Sequence, residues 1–560
     1  MDLNRRDFLK GGAIFGSGAA LMGLAGCGKQ PTPSGDTPAK EYPNGVTEAF
    51  LKDSLVEVDP ITSFIEEAEF DIVVVGAGTA GVPAVLTAVE EGATVACLQK
   101  QNTAQGNGNG SGAIILEESN ELGIQCYKHG WAKEGGFRYN DDLLELFMRH
   151  SGETCMWLLD RSKKAGFPDF KLTNMPQTYE DGKGKCAYFM KSIGKPKNHG
   201  SLMQELAKVA ESKGAKFYYS TPAMQLVKAD DGSITGVIGK SEQGYVKLTA
   251  KKAVIIAAGD YQNNEAMVET YSPDVTRFNR KQERRTGDGH LMTMLAGGVM
   301  CPVGHAKTMH DMDSSPLQLT QLPFMAVDET GKRFMSEDIP MQYWDTRLHD
   351  RPASVEDPGR FYRIFDDAYE TKYNAPAPAK KGPLANYMRD KNGKPIKDEP
   401  SGVFVDLIDT FRCDTLDELA NAVGLPAAQL KKTVDEWNKM CEEGDSLFGN
   451  PGSIMHPIDT PPYYCTRTWI RCSAINTGVA VNGNCQVLDA KGNVIKGLYS
   501  VGSGAGDICG DHEWNLSGGG LCCGSYHTMG RYAALHAVNG KLASKNPMTY
   551  EAAKGLLGRE

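Results

Sequence analysis

The chain lacks the cysteine spacings that mark the commoner haem and metal sites. Fourteen cysteines are scattered through 560 residues, and neither CxxCH nor a pair of CxxC motifs is present. The first absence excludes a c-type haem attached to this chain, and the second argues against a structural zinc ribbon. Most of the thiols are therefore expected to be small buried apolar groups, and no metal site is predicted.

An excess of positive charge is also missing. The formal net charge is -10 at pH 7, which argues against non-specific binding to nucleic acid. No internal repeat is visible, and the charged and apolar fractions are those of an ordinary globular enzyme. A chain of this length can bury a large core and should hold two or more domains.

The N-terminal apolar run is too short to span a membrane. Residues 11–26 are weakly apolar and fall below the ~20 residues that a transmembrane helix needs. They follow NRRDFLK at residues 4–10, which resembles a twin-arginine export signal, so export of the folded protein is expected. Residues 24–27 resemble a lipobox, and Cys27 is expected to become a lipidated N-terminus. Ordinary signal cleavage beside an incidental cysteine is the alternative.

Residues 28–68 are expected to form a flexible tether that holds the body of the protein off the membrane. Pro, Ser, Thr and Gly are frequent from Gln30 to about Gly45, and this stretch has no hydrophobic periodicity. Such a composition buries too little apolar surface to offset the entropy of ordering the backbone.

The strongest motif in the chain is EFDIVVVGAGTAGVPAVLTAVEEGATVACLQK, at residues 69–100. The apolar run at Asp71–Val75 predicts a buried parallel strand, Ala80–Glu91 a helix and Thr94–Leu98 a second strand. GxGxxG lies between the first strand and the helix, which is the context that makes this short motif specific for a dinucleotide.

Each glycine of that motif has a physical role in binding a nucleotide. Gly76 allows the tight turn, Gly78 lets the backbone approach a pyrophosphate, and Gly81 lets the helix pack on the strand. The amides at the start of the helix would face the phosphates. Gln99 occupies the position where an acid usually binds a ribose hydroxyl, and its amide can form that hydrogen bond without charge assistance.

The remaining patterns predict an α/β fold with two domains. Gln105–Ile114 is rich in Gly, Asn and Ser, which lets backbone amides wrap a cofactor closely, although a plain surface loop has the same composition. The predicted order is a signal (1–27), a tether (28–68), a Rossmann-like nucleotide-binding domain in two parts (69–303 and 468–545), an inserted α+β capping domain (304–467) and a C-terminal tail (546–560).

These blocks together resemble the flavoprotein family of fumarate reductases, succinate dehydrogenase flavoprotein subunits, urocanate reductases and 3-ketosteroid dehydrogenases. The similarity runs from about Phe70 to Val538 and includes, in the family's order, VVVGAGTAG, GNGNGSGAI, AAGDYQNNEAMV, TGDGHLMTMLAGG, DETGKRFMSED, IFDDAY, GLYSVGS and GGGLCCGSYHTMGRYAA. The resemblance implies an FAD-binding domain with a cap that closes over the flavin. It also implies non-covalent FAD, because the histidine that carries covalent flavin in the membrane complexes has no evident counterpart here.

The resemblance places one set of residues against FAD, most of them in the glycine-rich blocks. The set is Gly76, Gly78, Ala80, Gly81, Gln99, Lys100, Gly106, Asn107, Ser111, Gly112, Ala223, Ala258, Gly259, Asp288, Gly502, Ser503, Gly519, Leu521 and Cys522. Ser503 stands where the family carries an FAD-contacting acid. Gln99 and Ser503 are therefore two positions at which a neutral residue replaces an acid of the family.

The dicarboxylate reductases of the family depend on groups that this chain lacks. Residues 337–343, after GKRF, hold no arginine, residues 471–478 hold none of the family's histidines, and residues 513–515 lack the arginine that precedes the late glycines. Burying an unpaired carboxylate costs several kcal/mol, so a site without these cations disfavours fumarate. A bulkier and less charged substrate is expected.

Reduction of an activated C=C bond needs a donor on the carbonyl and an acid near the other carbon. Tyr343 is the first candidate acid, because it lies in the block where the family keeps its catalytic side chain, and Arg347 is a displaced alternative. His310 lies within one residue of a family substrate-binding histidine, and His512 with Glu513 precede the flavin-binding glycines. A structural role is the alternative for each of these residues.

Cys509, Cys522 and Cys523 lie close together in sequence near the same loop. An iron–sulfur cluster would need four thiolates and usually shows tighter spacing. A reactive thiol or a buried apolar filler is therefore favoured, and the cluster is the minor alternative.

The leading interpretation is an exported, respiratory-type reductase of an activated double bond, such as that of an enoate or enone. Electrons would reach FAD from a separate cytochrome or flavoprotein, because the chain has no haem motif and no second nucleotide fingerprint. One alternative is a 3-ketosteroid-type dehydrogenase that runs the same chemistry in reverse. Another is a lipid-anchored electron-relay protein, against which the sizeable cap argues, since relays need no lid.

Overall fold

A computed structural model describes residues 41–106, 108, 110–167, 170–179, 182–191, 199–311, 313–400, 403–510 and 520–559. Its strands are β1 (Glu66–Val75), β2 (Val95–Leu98), β3 (Gly110–Ile114), β4 (Phe170–Tyr179), β5 (Gly182–Lys191), β6 (Lys216–Tyr218), β7 (Ala223–Lys228), β8 (Ile234–Lys240), β9 (Tyr245–Ile256), β10 (Lys307–His310), β11 (Met325–Val327), β12 (Arg360–Asp366), β13 (Met388–Arg389), β14 (Thr410–Cys413), β15 (Tyr463–Trp469), β16 (Arg471–Ile475), β17 (Gln486–Leu488) and β18 (Val494–Ser500). Its helices are α1 (Glu48–Lys52), α2 (Gly81–Glu90), α3 (Glu121–Glu134), α4 (Asp141–Lys164), α5 (His199–Ser212), α6 (Glu265–Tyr271), α7 (Asp288–Ala296), α8 (Leu317–Thr320), α9 (Trp344–His349), α10 (Tyr369–Lys372), α11 (Lys381–Leu384), α12 (Leu416–Val423), α13 (Ala427–Glu443), α14 (Leu521–Asn539) and α15 (Tyr550–Ala553).

The largest sheet confirms the predicted Rossmann-like fold. Its order is β17–β18–β9–β1–β2–β6, and β8 and β7 continue from β9. β1 lies between two parallel neighbours, with Val73 opposite Ala96 of β2 and Val254 of β9. Ile72–Val75 is buried because sheet neighbours and helices such as α2 and α14 cover it, and β-branched residues suit such a strand.

The structure merges two elements that the sequence pattern separates. The apolar stretches at 245–248 and 254–256 look like two strands in the sequence, but they form one continuous strand, β9. The apolar pattern lapses at Lys251 and Lys252, which are exposed. The ladders to β1 and β8 nevertheless hold the backbone extended across most of this stretch, because ladder hydrogen bonds do not depend on which side chain is present.

The predicted tether is wrong from residue 42 onwards. Val46 and Phe50 are buried in a core cluster that includes Tyr261 and Met294. Thr47 caps α1 by accepting a 3.2 Å hydrogen bond from the backbone N–H of Phe50. The polar, Pro-rich composition ends near residue 45, and the apolar residues that follow find a place in the core. The signal, Cys27 and the rest of residues 1–40 lie outside the described residues.

A second sheet, antiparallel except for the pair β13 and β14, forms the capping domain. Its order is β11–β12–β15–β14–β13, and α12 and α13 pack on one face through a cluster that includes Ile364, Leu419 and Trp437. The short antiparallel pair β10 and β16 lies where the chain enters and leaves this region. β10 to β14 fall in the predicted cap at 304–467, β15 ends two residues beyond it, and β16 lies just after it.

A third sheet, β3–β5–β4, lies on the nucleotide-binding side. The long helix α14 packs against β3, α2 and α4, and it carries the glycine-rich block predicted to touch the cofactor. Among the helices of the described residues, none combines the length and the apolarity needed to cross a membrane.

Candidate active site

The turn after β1 is shaped by backbone contacts. Gly76 has φ 104°, and a β-carbon there would lie 2.5 Å from the carbonyl oxygen of Ala257. A β-carbon at Gly81 would overlap the carbonyl oxygen of Gly76, whereas one at Gly78 would meet nothing within 4 Å. The first and third glycines therefore allow the protein to pack on itself, and the second borders open space that a ligand can occupy.

That open space is part of a cavity at the carboxyl ends of β1, β2 and β9. It is lined by Val75, Gly76, Ala77, Gly78, Leu98, Gln99, Lys100, Gln101, Gln105, Gly106, Pro222, Ala223, Ala257, Ala258, Gln282, Glu283, Arg284, Arg285, Asp288 and Met292. Dinucleotides bind at this edge of open parallel sheets. The lining brings together eight of the predicted FAD contacts: Gly76, Gly78, Gln99, Lys100, Gly106, Ala223, Ala258 and Asp288.

Charged side chains give this cavity a net positive charge. The Nζ atom of Lys100 lies 3.1 Å from a carboxylate oxygen of Asp288. Glu283, Arg284 and Arg285 line the same cavity. Three cations against two carboxylates leave one positive charge, which suits a pyrophosphate.

Gln99 is held in place by its own loop. Its side chain is buried, and its Nε2 donates a 3.0 Å hydrogen bond to the carbonyl oxygen of Thr103. Among the described residues no donor binds its Oε1, which leaves that oxygen to accept a hydrogen bond from a ribose hydroxyl. Ser503, the second neutral replacement, is buried in the short helical turn Gly502–Gly504.

Backbone contact also places the glycine-rich blocks of β3 and α14 against each other. The N–H of Gly112 donates a 2.6 Å hydrogen bond to the carbonyl oxygen of Gly520. A β-carbon at Gly524 would overlap the carbonyl oxygen of Gly112, and one at Gly530 would overlap that of Ala80. α14 therefore lies directly on β3 and on the start of α2.

These residues fit FAD. Gly78 leaves room for the pyrophosphate, the cavity has a net positive charge, and Gln99 has an acceptor for a ribose hydroxyl. Gly112, Leu521 and Cys522 lie in the second glycine-rich region, where the ring system is expected. When bound, FAD supplies hydride-transfer chemistry, and the protein supplies orientation and a proton route.

A hydrogen-bonded network leads from α14 to the strand pair β10 and β16. This pair lies where the chain enters and leaves the capping domain and is called the cap junction below. The Nδ2 of Asn476 donates a 2.6 Å hydrogen bond to Thr308 on β10. The Oδ1 of Asn476 accepts a hydrogen bond from the hydroxyl of Tyr526 on α14. His310 lies two residues after Thr308 on β10, beyond a register shift between Thr308 and Met309, and it pairs with Arg471 of β16.

A charged cluster surrounds His310. The carboxylate of Asp313 accepts a 3.0 Å hydrogen bond from the ammonium group of Lys281 and another from the guanidinium of Arg471. Two cations that share one carboxylate leave one net positive charge in a largely buried place. Burial, with the charge of Lys281 as a smaller cause, lowers the pKa of His310 to about 3, and Asp313 opposes the shift. His310 is therefore neutral at physiological pH.

The other two described candidates for catalysis lie on or next to α9. Lys307 of β10 is buried and lies 3.2 Å from the carboxylate of Asp345, which ties α9 to the strand that carries His310. Tyr343 immediately precedes α9 and is 42% exposed. The guanidinium of Arg347 donates a hydrogen bond to the carbonyl oxygen of Phe334.

A family model described as the FAD binding domain matches residues 71–521. The chain belongs to this family. It binds FAD and is an FAD-dependent oxidoreductase that acts on CH–CH groups, as its relatives are. The predicted fold, cofactor and reaction class are thereby confirmed.

Three curated relatives match most of the chain. The vinyl phenol reductase of Lactiplantibacillus plantarum is 25% identical over 84% of this chain and 96% of the relative. The digoxin reductase of Eggerthella lenta is 27% identical over 89% and 91%, respectively. A probable fumarate reductase of Shewanella frigidimarina is 27% identical over 84% and 75%.

Two solved structures show the same fold. The open conformation of a flavocytochrome c3 fumarate reductase has a TM-score of 0.64 and 22% identity, over 85% of this chain and 79% of that one. The 3-ketosteroid-delta4-(5alpha)-dehydrogenase of Rhodococcus jostii RHA1 has a TM-score of 0.57 and 22% identity, over 86% and 98%.

The structure separates the predicted site residues into groups. The eight cavity residues named above lie together, and Ser111, Gly112, Leu521 and Cys522 lie in the second glycine-rich region. Gly259 has a φ of 83°, which favours glycine, and the guanidinium of Arg285 lies over it. His310 lies at the cap junction. Asn107, His512, Glu513 and Gly519 lie outside the described residues.

Several residues that shape the site were not predicted. They are Arg284 and Arg285 in the nucleotide cavity, and Lys281, Asp313, Arg471, Asn476 and Tyr526 at the cap junction. The run RKQERR at residues 280–285 was a visible signal, because five charged residues in six are unusual beside a glycine-rich block.

The cysteines near α14 do not form a metal site within the described residues. That part of the chain contains no group of three or more His, Cys, Asp or Glu side chains placed to hold a metal ion. Burial raises the pKa of Cys523 to about 12, so its thiol stays protonated. Cys509 is also buried, and Cys522 is half-buried. The apolar-filler interpretation fits Cys523 best.

Proposed function

We propose that the protein reduces an activated carbon–carbon double bond that is conjugated to a carbonyl or a single carboxylate. The observation that carries the proposal is the position of His310. It lies beside one surplus positive charge, on a strand whose Thr308 is linked through Asn476 and Tyr526 to α14. This helix packs on β3, which ends the glycine-rich block Gln105–Ile114, called the cofactor loop below. A group bound beside His310 can be polarised next to the cofactor.

His310 acts in this proposal as a neutral hydrogen-bond donor. Its pKa of about 3 leaves the imidazole uncharged at neutral pH, so one ring nitrogen carries a proton and can donate to a substrate oxygen. The same low pKa makes His310 a poor source of a transferred proton. The charges of Lys281 and Arg471 stabilise the electron density that develops on that oxygen.

The charge of the junction limits the substrate. Lys281, Arg471 and Asp313 together supply one net positive charge, which can balance one carboxylate or an enolate-like oxygen. A dicarboxylate such as fumarate would leave its second carboxylate unbalanced. The proposed substrate is therefore a bulky enone or a mono-anionic enoate, and relatives named for vinyl phenol and digoxin support such variety in one fold.

The proposed proton donor is Tyr343. Its side chain keeps contact with water, so its hydroxyl can be reprotonated after each turnover, and α9 is tied to the strand of His310 by Lys307 and Asp345. Arg347 is the second candidate, but part of its guanidinium is already engaged by the carbonyl of Phe334. The overall reaction adds a hydride and a proton to the C=C bond to give CH–CH.

Anaerobic turnover with reduced viologen tests the reaction. The panel should contain aryl enoates, neutral ring enones and fumarate, and a parallel assay should offer saturated ring ketones with an electron acceptor. We expect reduction of at least one enone or enoate and slow reduction of fumarate. Efficient fumarate turnover would contradict the charge argument, and faster oxidation of the saturated ketones would favour the dehydrogenase alternative.

Two variants test the proton donor. Tyr343→Phe removes one hydroxyl and should lower kcat by ~100- to 10,000-fold with unchanged FAD content. Arg347→Met, four residues further on in α9, is the matched comparison and should have a smaller effect. Near-normal turnover in both variants would transfer the role to another residue, with His512 and Glu513 as the next candidates.

The proposal includes export and lipid anchoring. The twin-arginine pattern at residues 4–10 and the lipobox-like residues 24–27 support it. Replacing Arg5 and Arg6 with lysine should leave precursor in the cytoplasm, and Cys27→Ala should release the mature protein from the membrane fraction. Unchanged membrane association of the Cys27 variant would argue for ordinary signal cleavage. Electrons would come from a separate cytochrome or flavoprotein.

A further inference from the structure

A buried hydrogen-bonded chain of three side chains ends on the cofactor loop and has no role in the reaction described above. The hydroxyl of Ser111 on β3 lies 2.8 Å from the Nδ1 of His527 on α14. The Nε2 of His527 lies 3.0 Å from the Nε2 of His199 at the start of α5. The two rings lie 4.9 Å apart with 26° between their planes, and each of the three residues is at most 1% exposed.

The imidazole of His527 is neutral. Burial, and then the neighbouring His199, holds the pKa of His527 well below its ordinary value. Protonating both rings would bring two like charges together in a water-free place. When both rings are neutral, each carries one proton, and only one of these protons can lie between the two Nε2 atoms.

Two proton arrangements satisfy this geometry. In the first, His527 donates from Nε2 to His199 and accepts at Nδ1 from the hydroxyl of Ser111. In the second, His199 donates from Nε2 to His527, which then donates from Nδ1 to the oxygen of Ser111. The hydroxyl hydrogen of Ser111 is consequently turned inward in the first arrangement and turned elsewhere in the second.

This difference reaches the cofactor loop. Ser111 lies beside Gly112, whose N–H is bonded to Gly520 and whose carbonyl oxygen packs on Gly524 of α14. An oxidised isoalloxazine ring presents acceptor nitrogens, and the reduced ring carries an N–H, so a loop beside it meets different hydrogen-bonding demands in the two redox states.

We propose that His527, with its tautomer set by His199, is a positioning residue that lets Ser111 change between hydrogen-bond donor and acceptor, and that this chain tunes the redox equilibrium of the bound FAD. It acts through Ser111 and the β3 backbone. It does not bind substrate, and it does not depend on which double bond the protein reduces.

Spectroelectrochemical titration of the purified FAD-loaded protein, without substrate, tests this proposal. Ser111→Ala and His527→Leu should each shift the ratio of oxidised to reduced FAD at a fixed potential by about tenfold, in the same direction. The double variant should shift it no further, because both changes break one chain. His527→Gln keeps a donor and an acceptor and should restore most of the shift.

FAD affinity and thermal stability give the control. The affinity for oxidised FAD should change less than the redox ratio does, because the three hydrogen-bonded side chains lie behind the cofactor loop. A loss of stability with an unchanged redox ratio would overturn the proposal and assign the chain a structural role. Additive shifts in the double variant would also overturn it. If His527→Leu fails to fold, Ser111→Ala and His527→Gln still decide the outcome.

A second measurement on the FAD-loaded protein tests the three hydrogen-bonded side chains directly. Nitrogen-15 NMR of the imidazoles of His199 and His527 should show two neutral rings at pH 7, one of them protonated on Nε2. The signal of His527 should move in Ser111→Ala, because its Nδ1 loses its partner. A charged imidazole at pH 7 would contradict the proposal.

Discussion

The nucleotide cavity and the cap junction are built in different ways. In the nucleotide cavity the decisive contacts are between backbone atoms, as at Gly76, Gly81 and Ala257, and the side chains only adjust its charge. At the cap junction the decisive groups are side chains, such as His310 and Arg471, which come from distant parts of the chain. A site built from backbone contacts imposes a fixed glycine spacing on the sequence, whereas a site built from side chains imposes none.

The largest effect should come from breaking the backbone contacts of the nucleotide cavity. Gly81→Val should prevent folding, because its side chain would overlap the carbonyl oxygen of Gly76. Gly78→Val should fold and lose FAD, because its side chain enters space that is empty of protein but needed by the pyrophosphate. Circular dichroism and flavin absorbance of the purified variants separate the two outcomes.

Gly382→Ala is the matched control for these variants. A β-carbon at Gly382 meets nothing within 4 Å, and the residue lies in α11 of the cap. Folding and FAD content should both be normal. FAD binding by Gly78→Val at the wild-type level would show that the pyrophosphate does not pass over this glycine.

The same difference explains what the sequence could predict. The β1–α2–β2 unit and most of the cavity residues follow from GxGxxG and the apolar runs around it. The cluster of Lys281, Asp313 and Arg471 does not, because its members are brought together only by the pairing of β10 with β16. Nothing in the local sequence of His310 indicates that a neutral, buried imidazole would result.

Removal of one functional group at the cap junction should lower activity without unfolding the protein. His310→Asn removes the imidazole while keeping a polar group, and it should lower kcat by ~100- to 1,000-fold if the imidazole stabilises charge on the substrate oxygen. FAD content should be unchanged, because His310 does not line the nucleotide cavity. Steady-state kinetics with the best substrate of the panel measures the effect.

A matched variant sharpens this result. Tyr387→Phe removes a hydroxyl from a tyrosine whose pKa is raised by burial and by the nearby carboxylates of Asp313 and Asp311. It should have little effect on kcat, because Tyr387 has no place in the proposed mechanism. Equal losses in the two variants would indicate a general disturbance of the junction.

Acid should destabilise the junction and the elements next to it. Burial lowers the pKa values of His290, His305 and His310 to about 3, 4 and 3, respectively, against about 6.5 in the unfolded chain. The unfolded state therefore takes up protons below pH 6.5 that the native state cannot bind until about pH 3–4. Stability is full above pH 6.5 and is lost as the pH falls, by about 2 kcal/mol per histidine at pH 5.

His290→Leu tests this dependence at one residue. Within the described residues neither ring nitrogen of His290 has a hydrogen-bond partner, and the ring packs edge-on against Tyr261. The variant should be at least as stable as the wild type at pH 7.5 and more stable at pH 5. Denaturant unfolding at the two pH values gives the comparison, and an unchanged pH dependence would show that His290 titrates normally.

The smallest effect should come from restoring the acid that the nucleotide cavity lacks. Gln99→Glu offers FAD a charge-assisted hydrogen bond to a ribose hydroxyl, but it removes the 3.0 Å bond from Nε2 to the carbonyl of Thr103 and places a carboxylate against that carbonyl. Each of these terms is worth about 1 kcal/mol, and they oppose each other. FAD affinity, measured by flavin fluorescence quenching, should therefore change by less than about threefold.

Gln99→Met loses both hydrogen bonds and should weaken FAD binding by about tenfold. A gain well above tenfold in Gln99→Glu would show that Thr103 contributes nothing, and that the charge of one side chain can matter in this cavity as much as it does at the cap junction.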